Sequence, residues 1–134
     1  MASMFQNCHK FNQSLAHFDT SNVMDFSNMF ESSLRFNGNG LERWNTERAQ
    51  VMDFMFLHAL QFNADITAWD VRNVKSMKGL FRDARSFAHD VRVLSQWNFH
   101  DHVDKQQMCD WWSENTVTQT TSLLIDPASR SSNQ

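Results

Sequence analysis
The chain has 134 residues, 41% of them hydrophobic, and a formal charge of −3 at pH 7. That length fits one domain, and the apolar content is that of an ordinary folded protein, so disorder is not the default. So mild a charge gives no electrostatic reason for nucleic acid or an anionic membrane as partner, and no apolar run approaches the length of a membrane span.

The apolar residues are unusual in kind: twelve Phe, five Trp and eight Met, with no Tyr, three Gly and one Pro. Bulky side chains are the core material. The first ten residues carry no apolar stretch of the signal-peptide type, and Phe5 already belongs to a repeated pattern. That start leaves room for further copies, or a targeting signal, upstream of Met1.

Phe5, Phe30, Phe56 and Phe81 are separated by 25, 26 and 25 residues, and Phe11, Phe36, Phe62 and Phe87 keep the same intervals. Leu15, Leu41, Ile66 and Val91 follow in step. So do Phe18, Trp44, Trp69 and Trp97, the last displaced by a short insertion around Leu94-Ser95. Four columns in phase indicate four copies of a unit of about 25 residues.

The third copy displays the pattern most cleanly. Ile66, Trp69 and Val71 have leucine-rich-repeat spacing, and residues two apart share one face of a strand. Trp69 and Val71 should therefore point inward and Asp70 outward. Val74, Met77, Leu80, Phe81, Ala84 and Phe87 then advance mostly by threes, which suits a short helix. The fold expected is α/β: a short right-handed leucine-rich-repeat-like solenoid with one short strand and one short helix per unit of about 25 residues. A unit this small buries its apolar face only against its neighbours.

The phrases Phe11-Asn12-Gln13-Ser14-Leu15, Phe18-Asp19-Thr20-Ser21-Asn22-Val23 and Asn28-Met29-Phe30 resemble BspA-type leucine-rich repeats, the mycoplasma-type repeat of unknown function. The wording returns at Phe62-Asn63-Ala64-Asp65-Ile66 and Trp69-Asp70-Val71-Arg72-Asn73-Val74, and departs from type at Ala88. The resemblance implies a surface or secreted protein, with adhesion or protein binding as its role and no enzymatic activity.

The repeat region is placed at 4–112, with Met108, Trp111 and Trp112 opening a fifth turn or capping the last one. Residues 113–134 read as a polar Ser/Thr-rich tail or cap, in which 117–125 could add a closing strand.

Most residues that could carry chemistry are absorbed by the pattern. Cys8 shares a column with Ser33, Ala59 and Ala84, where a small packed residue is needed. A bridge to Cys109 would span four turns, about 19 Å, against the roughly 7 Å that a disulfide permits. None of the six His falls at zinc-site spacing, and His100-Asp101-His102 would need a third ligand from a neighbouring copy. There is no nucleophile elbow and no phosphate-cradling loop. No cofactor or metal is expected, and the chain reads as a non-enzyme. Asn12, Asn37 and Asn63 form a column suited to laddered hydrogen bonds; Asn12-Gln13-Ser14 is also a glycosylation sequon. The column Asp19, Asn45, Asp70 and Asn98 suits hydrogen-bonded stacking between copies, with a weak calcium site as the alternative.

What varies between the core columns is the polar face. Its expected binding residues are His17, Arg43 and Gln96, then Asp19, Asn45, Asp70 and Asn98, then Ser21, Glu47, Arg72 and His100, with Ala68 completing the first column. The expected function is protein interaction or adhesion through this face, toward an unidentified protein or cell-surface ligand. The alternative is a structural spacer or end-to-end self-association, because Phe5 and Phe11 would lie on an uncapped first turn.

Overall fold
The computed structural model describes residues 1–87, 96–100, 102–105 and 108. Backbone and rings lie in layers about 25 residues apart. Phe5, Phe30, Phe56 and Phe81 form one file, with neighbouring ring centroids 5.6, 5.6 and 5.8 Å apart and ring planes within 6°. Phe18, Trp44, Trp69 and Trp97 form a second file at 6.5 Å steps. Phe36, Phe56, Phe62, Phe81 and Ile66 are at most 1% exposed, so the core runs between the two files.

The expected strand-plus-helix solenoid is not what the chain forms. Among the described residues the regular element is a single 3₁₀ turn, Leu41–Arg43. No strand is present among the described residues; isolated parallel bridges join Asp25 to Val51, Val51 to Ser76 and Ser76 to Asp104.

The segment read as helix is instead a succession of tight turns. Met29, Glu31 and Ser33 donate their N–H groups three residues back, to Phe26, Asn28 and Phe30, at 3.2, 3.2 and 3.0 Å. The alternate N–H groups of Asn28, Phe30 and Ser32 reach the next layer, donating to the carbonyls of Asp53, Met55 and Leu57 at 2.9, 2.8 and 2.8 Å. Asn28 and Ser32 both sit at φ 57°, in the left-handed region, which interrupts any helix. The next layer follows suit at Phe54 (φ 57°) and His58 (φ 58°). A helix would spend these amides internally, and one this short is marginal alone. The turns leave every second amide free to bind the neighbouring layer. Steps of three therefore describe core-facing positions of consecutive turns.

Alternation along the Trp segment does hold. Trp69 and Val71 are buried while Asp70 is half-buried and Arg72 exposed. Among the described residues no backbone ladder links these segments; side chains do, two threonines among them. Thr20 Oγ1 donates to the Asn45 carbonyl at 3.0 Å and accepts the Asn45 N–H at 3.1 Å. Thr46 Oγ1 donates to the Asp70 carbonyl at 3.0 Å. Thr46→Val, nearly isosteric and matching Val71 in the next layer, should cost about 1 kcal/mol, read as a lower midpoint in chemical denaturation with an unchanged slope.

Ring centroids step by 5.6–5.8 Å along the Phe file and by 6.5 Å along the Trp file. Copy two holds one more residue between its second Phe and its aliphatic position than copies one and three, and Gly38 and Gly40, at φ 94° and 95°, take up the excess. Residues 88–95, Cys109 and the tail at 113–134 lie outside the described residues, as do Trp111, Trp112 and the segment 117–125.

Candidate interaction surface
The Trp file fixes the polar columns beside it. Each indole is held from two directions: by ring stacking and by its N–H. Trp44 Nε1 donates to the Leu15 carbonyl at 2.9 Å, Trp69 Nε1 to Leu41 at 2.8 Å and Trp97 Nε1 to Ile66 at 3.0 Å. Leu15, Leu41 and Ile66 thus each accept from the aromatic one layer on. Side chains flanking the indoles are placed in register by this contact.

His17, Arg43, Ala68 and Gln96 are all exposed. Asp19, Asn45 and Asn98 are exposed and Asp70 half-buried; Glu47, Arg72 and His100 are exposed and Ser21 half-buried. The structure therefore puts all eleven expected binding residues at or near the surface.

Their hydrogen bonds run differently from expectation. Asp19 Oδ1 accepts the Ser21 hydroxyl at 2.6 Å and its N–H at 3.0 Å. Asn45 Oδ1 accepts the Glu47 N–H at 2.9 Å, and Asp70 Oδ1 accepts the Arg72 N–H at 3.0 Å. Each side chain closes on the residue two ahead in its own copy. An Asx turn finds its donor two residues along, which draws each of these side chains onto its own copy. The Ser21 hydroxyl and amide hold the Asp19 carboxyl below its ordinary pKa. The Arg72 guanidinium does the same for Asp70, with Nη2 2.8 Å from Oδ2.

The Asn12 column ladders in part. Asn12 Oδ1 accepts the Asn37 N–H of the next layer at 3.2 Å, but Asn37 Oδ1 turns to the Asn39 N–H of its own copy at 2.9 Å. Cys8 is a free, half-buried thiol in the file of buried Ser33, Ala59 and Ala84. His100 Nδ1 accepts the His102 N–H at 3.1 Å, and no three His, Cys, Asp or Glu among the described residues group as a metal site would require.

The bridged edge holds a feature that sequence reasoning missed. Met24, Arg48, Gln50, Asn73, Lys75 and His100 line an open hollow of about 310 Å³. Of these only His100 belongs to the expected face. The signal was available: Met24, Gln50 and Lys75 are exposed positions caught between two inward columns, Val23, Ala49 and Val74 on one side and Phe26, Met52 and Met77 on the other. Asn73 is anchored there by Nδ2, which donates to the Glu47 carbonyl at 2.8 Å. Carboxylates near this edge are engaged elsewhere. Asp25 accepts the Ser27 N–H at 2.8 Å, Asp53 accepts the Ser76 hydroxyl at 2.6 Å, and Asp104 lies 3.6 Å from Lys78 Nζ.

No helix among the described residues is long and apolar enough to cross a membrane. No curated protein and no solved structure matches the chain. The family described as "Mycoplasma protein of unknown function, DUF285" matches over residues 1–122, and the chain belongs to that family.

Proposed function
We propose that the protein is a non-enzymatic interaction or adhesion module that contacts a protein or cell-surface ligand through its exposed polar columns. The observation behind this reading is the pairing of a constant frame with variable side chains. Aromatic rings at a constant 6.5 Å step, Phe18 and then three indoles, follow His17, Arg43, Ala68 and Gln96 at one equivalent exposed position. Arrays of that kind recognise macromolecules by extended contact. The narrower resemblance to BspA-type repeats, with its surface or secreted relatives, supports the same reading. So does the engagement of the pKa-shifted carboxylates Asp19, Asp25, Asp70 and Asp83 by neighbouring side chains at the surface.

The test is a panel of purified extracellular-matrix and cell-surface proteins presented to the full chain. Saturable binding to at least one member is expected, weakened tenfold or more by the combined Arg43→Ala and Arg72→Ala substitutions at unchanged thermal stability. Binding indifferent to both changes, or no saturable binding at all, would sink the proposal.

A second reading, end-to-end association, rests on a different observation. Phe5, Phe11 and Phe18 are only half-buried, whereas Phe30, Phe36 and Trp44 one layer in are 0%, 0% and 5% exposed. Size that grows with concentration in light scattering would favour it, and a strictly monomeric chain would count against it.

A further inference from the structure
We infer that the hollow on the bridged edge is a docking site for an acidic stretch of a partner protein, a short extended segment presenting two or three Asp or Glu side chains. The inference rests on the protein-binding reading above and assigns it a second face with a defined chemistry.

Charge complementarity carries the argument. Arg48 and Lys75 come from successive copies and meet at one hollow of about 310 Å³, which His100 of the next copy also lines. Arg48 and Lys75 are exposed, and neither forms an ion pair among the described residues. Elsewhere on the chain Arg72 pairs with Asp70 at 2.8 Å and Arg85 with Asp83 at 3.0 Å. Carboxylates of this edge are oriented toward other donors, Asp25 toward Ser27, Asp53 toward Ser76 and the Lys78 N–H, and Asp104 toward Lys78. Glu47, beside Arg48 in sequence, lies in the field of Arg72. The lining of the hollow thus carries two cations and no carboxylate, on a chain whose formal charge is −3.

The neutral lining fits a polypeptide. Met24 is 55% exposed, one of two large apolar side chains so exposed among the described residues. Beside the cations it offers a flexible apolar contact for the methylene groups of Glu or for an interspersed apolar residue. Gln50 and Asn73 add amides suited to the backbone of an extended segment. The volume admits a few side chains and excludes a folded domain, so the partner must bring a protruding strand or tail.

The experiment is fluorescence anisotropy of the full chain with a labelled Glu-rich hexapeptide, its Gln counterpart serving as the neutral control. The acidic peptide should bind at least tenfold more tightly than the neutral one at low salt. Arg48→Gln combined with Lys75→Gln should remove most of that preference, while Arg35→Gln, an exposed cation away from the hollow, should leave it intact. Equal binding of the two peptides, or equal loss in the Arg35→Gln control, would overturn the assignment. So would displacement of the peptide by millimolar phosphate or by vesicles containing anionic lipid, which would identify a general anion site. Because the panel test uses Arg43 and Arg72, retained panel binding alongside peptide failure would discard the hollow alone.

Discussion

Trp69→Ala should destabilise the protein by about 3–5 kcal/mol, the larger of the two effects expected of single substitutions in the core. The side chain is 3% exposed, so its truncation leaves a cavity rather than a hydrated dent. It stacks on Trp44 and on Trp97, both at 6.5 Å, and loses both partners at once. Its indole N–H also satisfies the buried Leu41 carbonyl at 2.8 Å. Trp69→Phe separates these contributions. The ring is largely kept, but the carbonyl is stranded, at a cost of about 1–3 kcal/mol. Urea unfolding followed by circular dichroism checks both, with Phe expected between wild type and Ala. A wild-type transition for Trp69→Ala would mean the Trp file does not hold the layers together.

Gly40→Ala should cost about 3 kcal/mol, from a left-handed backbone penalty of about 1 kcal/mol and overpacking of roughly 1–3 kcal/mol. A methyl group at Gly40 (φ 95°) would stand 2.3 Å from the Ala16 amide nitrogen and 2.9 Å from the Leu15 carbonyl carbon. Those atoms are main chain of the neighbouring layer and cannot swing aside. They also adjoin the carbonyl that Trp44 Nε1 uses, so a shift would loosen the indole as well. Gly79→Ala makes the useful comparison, because its methyl would meet the Phe54 ring, 2.6 Å from Cδ1. A side chain can rotate where a backbone cannot, so the same denaturation experiment should rank Gly40→Ala as the worse. The reverse order would show that the Leu15–Ala16 segment yields more readily than a half-buried ring.

The core was legible in the sequence because aromatic burial forces one residue type to return at each layer. Phe30, Phe56 and Phe81, or Trp44, Trp69 and Trp97, are readable as columns without coordinates. The inward set of Trp69 and Val71 followed from spacing alone. Backbone conformation was not legible in the same way. Steps of three fit both a helix and consecutive turns, since each returns a side chain to the core every three or four residues. The deciding residues are those at positive φ: Asn28 and Gly79 in one column, Asn7 and Asp83 in the other, are the residue types that tolerate the left-handed region. Phe54 in the first column, at φ 57°, conceals that signal. The hollow was hidden for another reason. Arg48, Lys75 and His100 come from different copies and from no single column, and only the register of the bridges brings them together.

The alternate amides that bind each layer to the next have a mechanical consequence. Phe26, Asn28, Phe30 and Ser32 grip the following layer by parallel N–H groups lined up along one seam. Pulled along the stack, such a seam loads its bonds in parallel and resists as a group; pulled from a chain end, it loads them one after another and yields like a zipper. A tether drawn from one terminus should peel the chain layer by layer, each release paying out roughly 85 Å of extended backbone. Direction of force, more than its size, would then decide whether the stack holds.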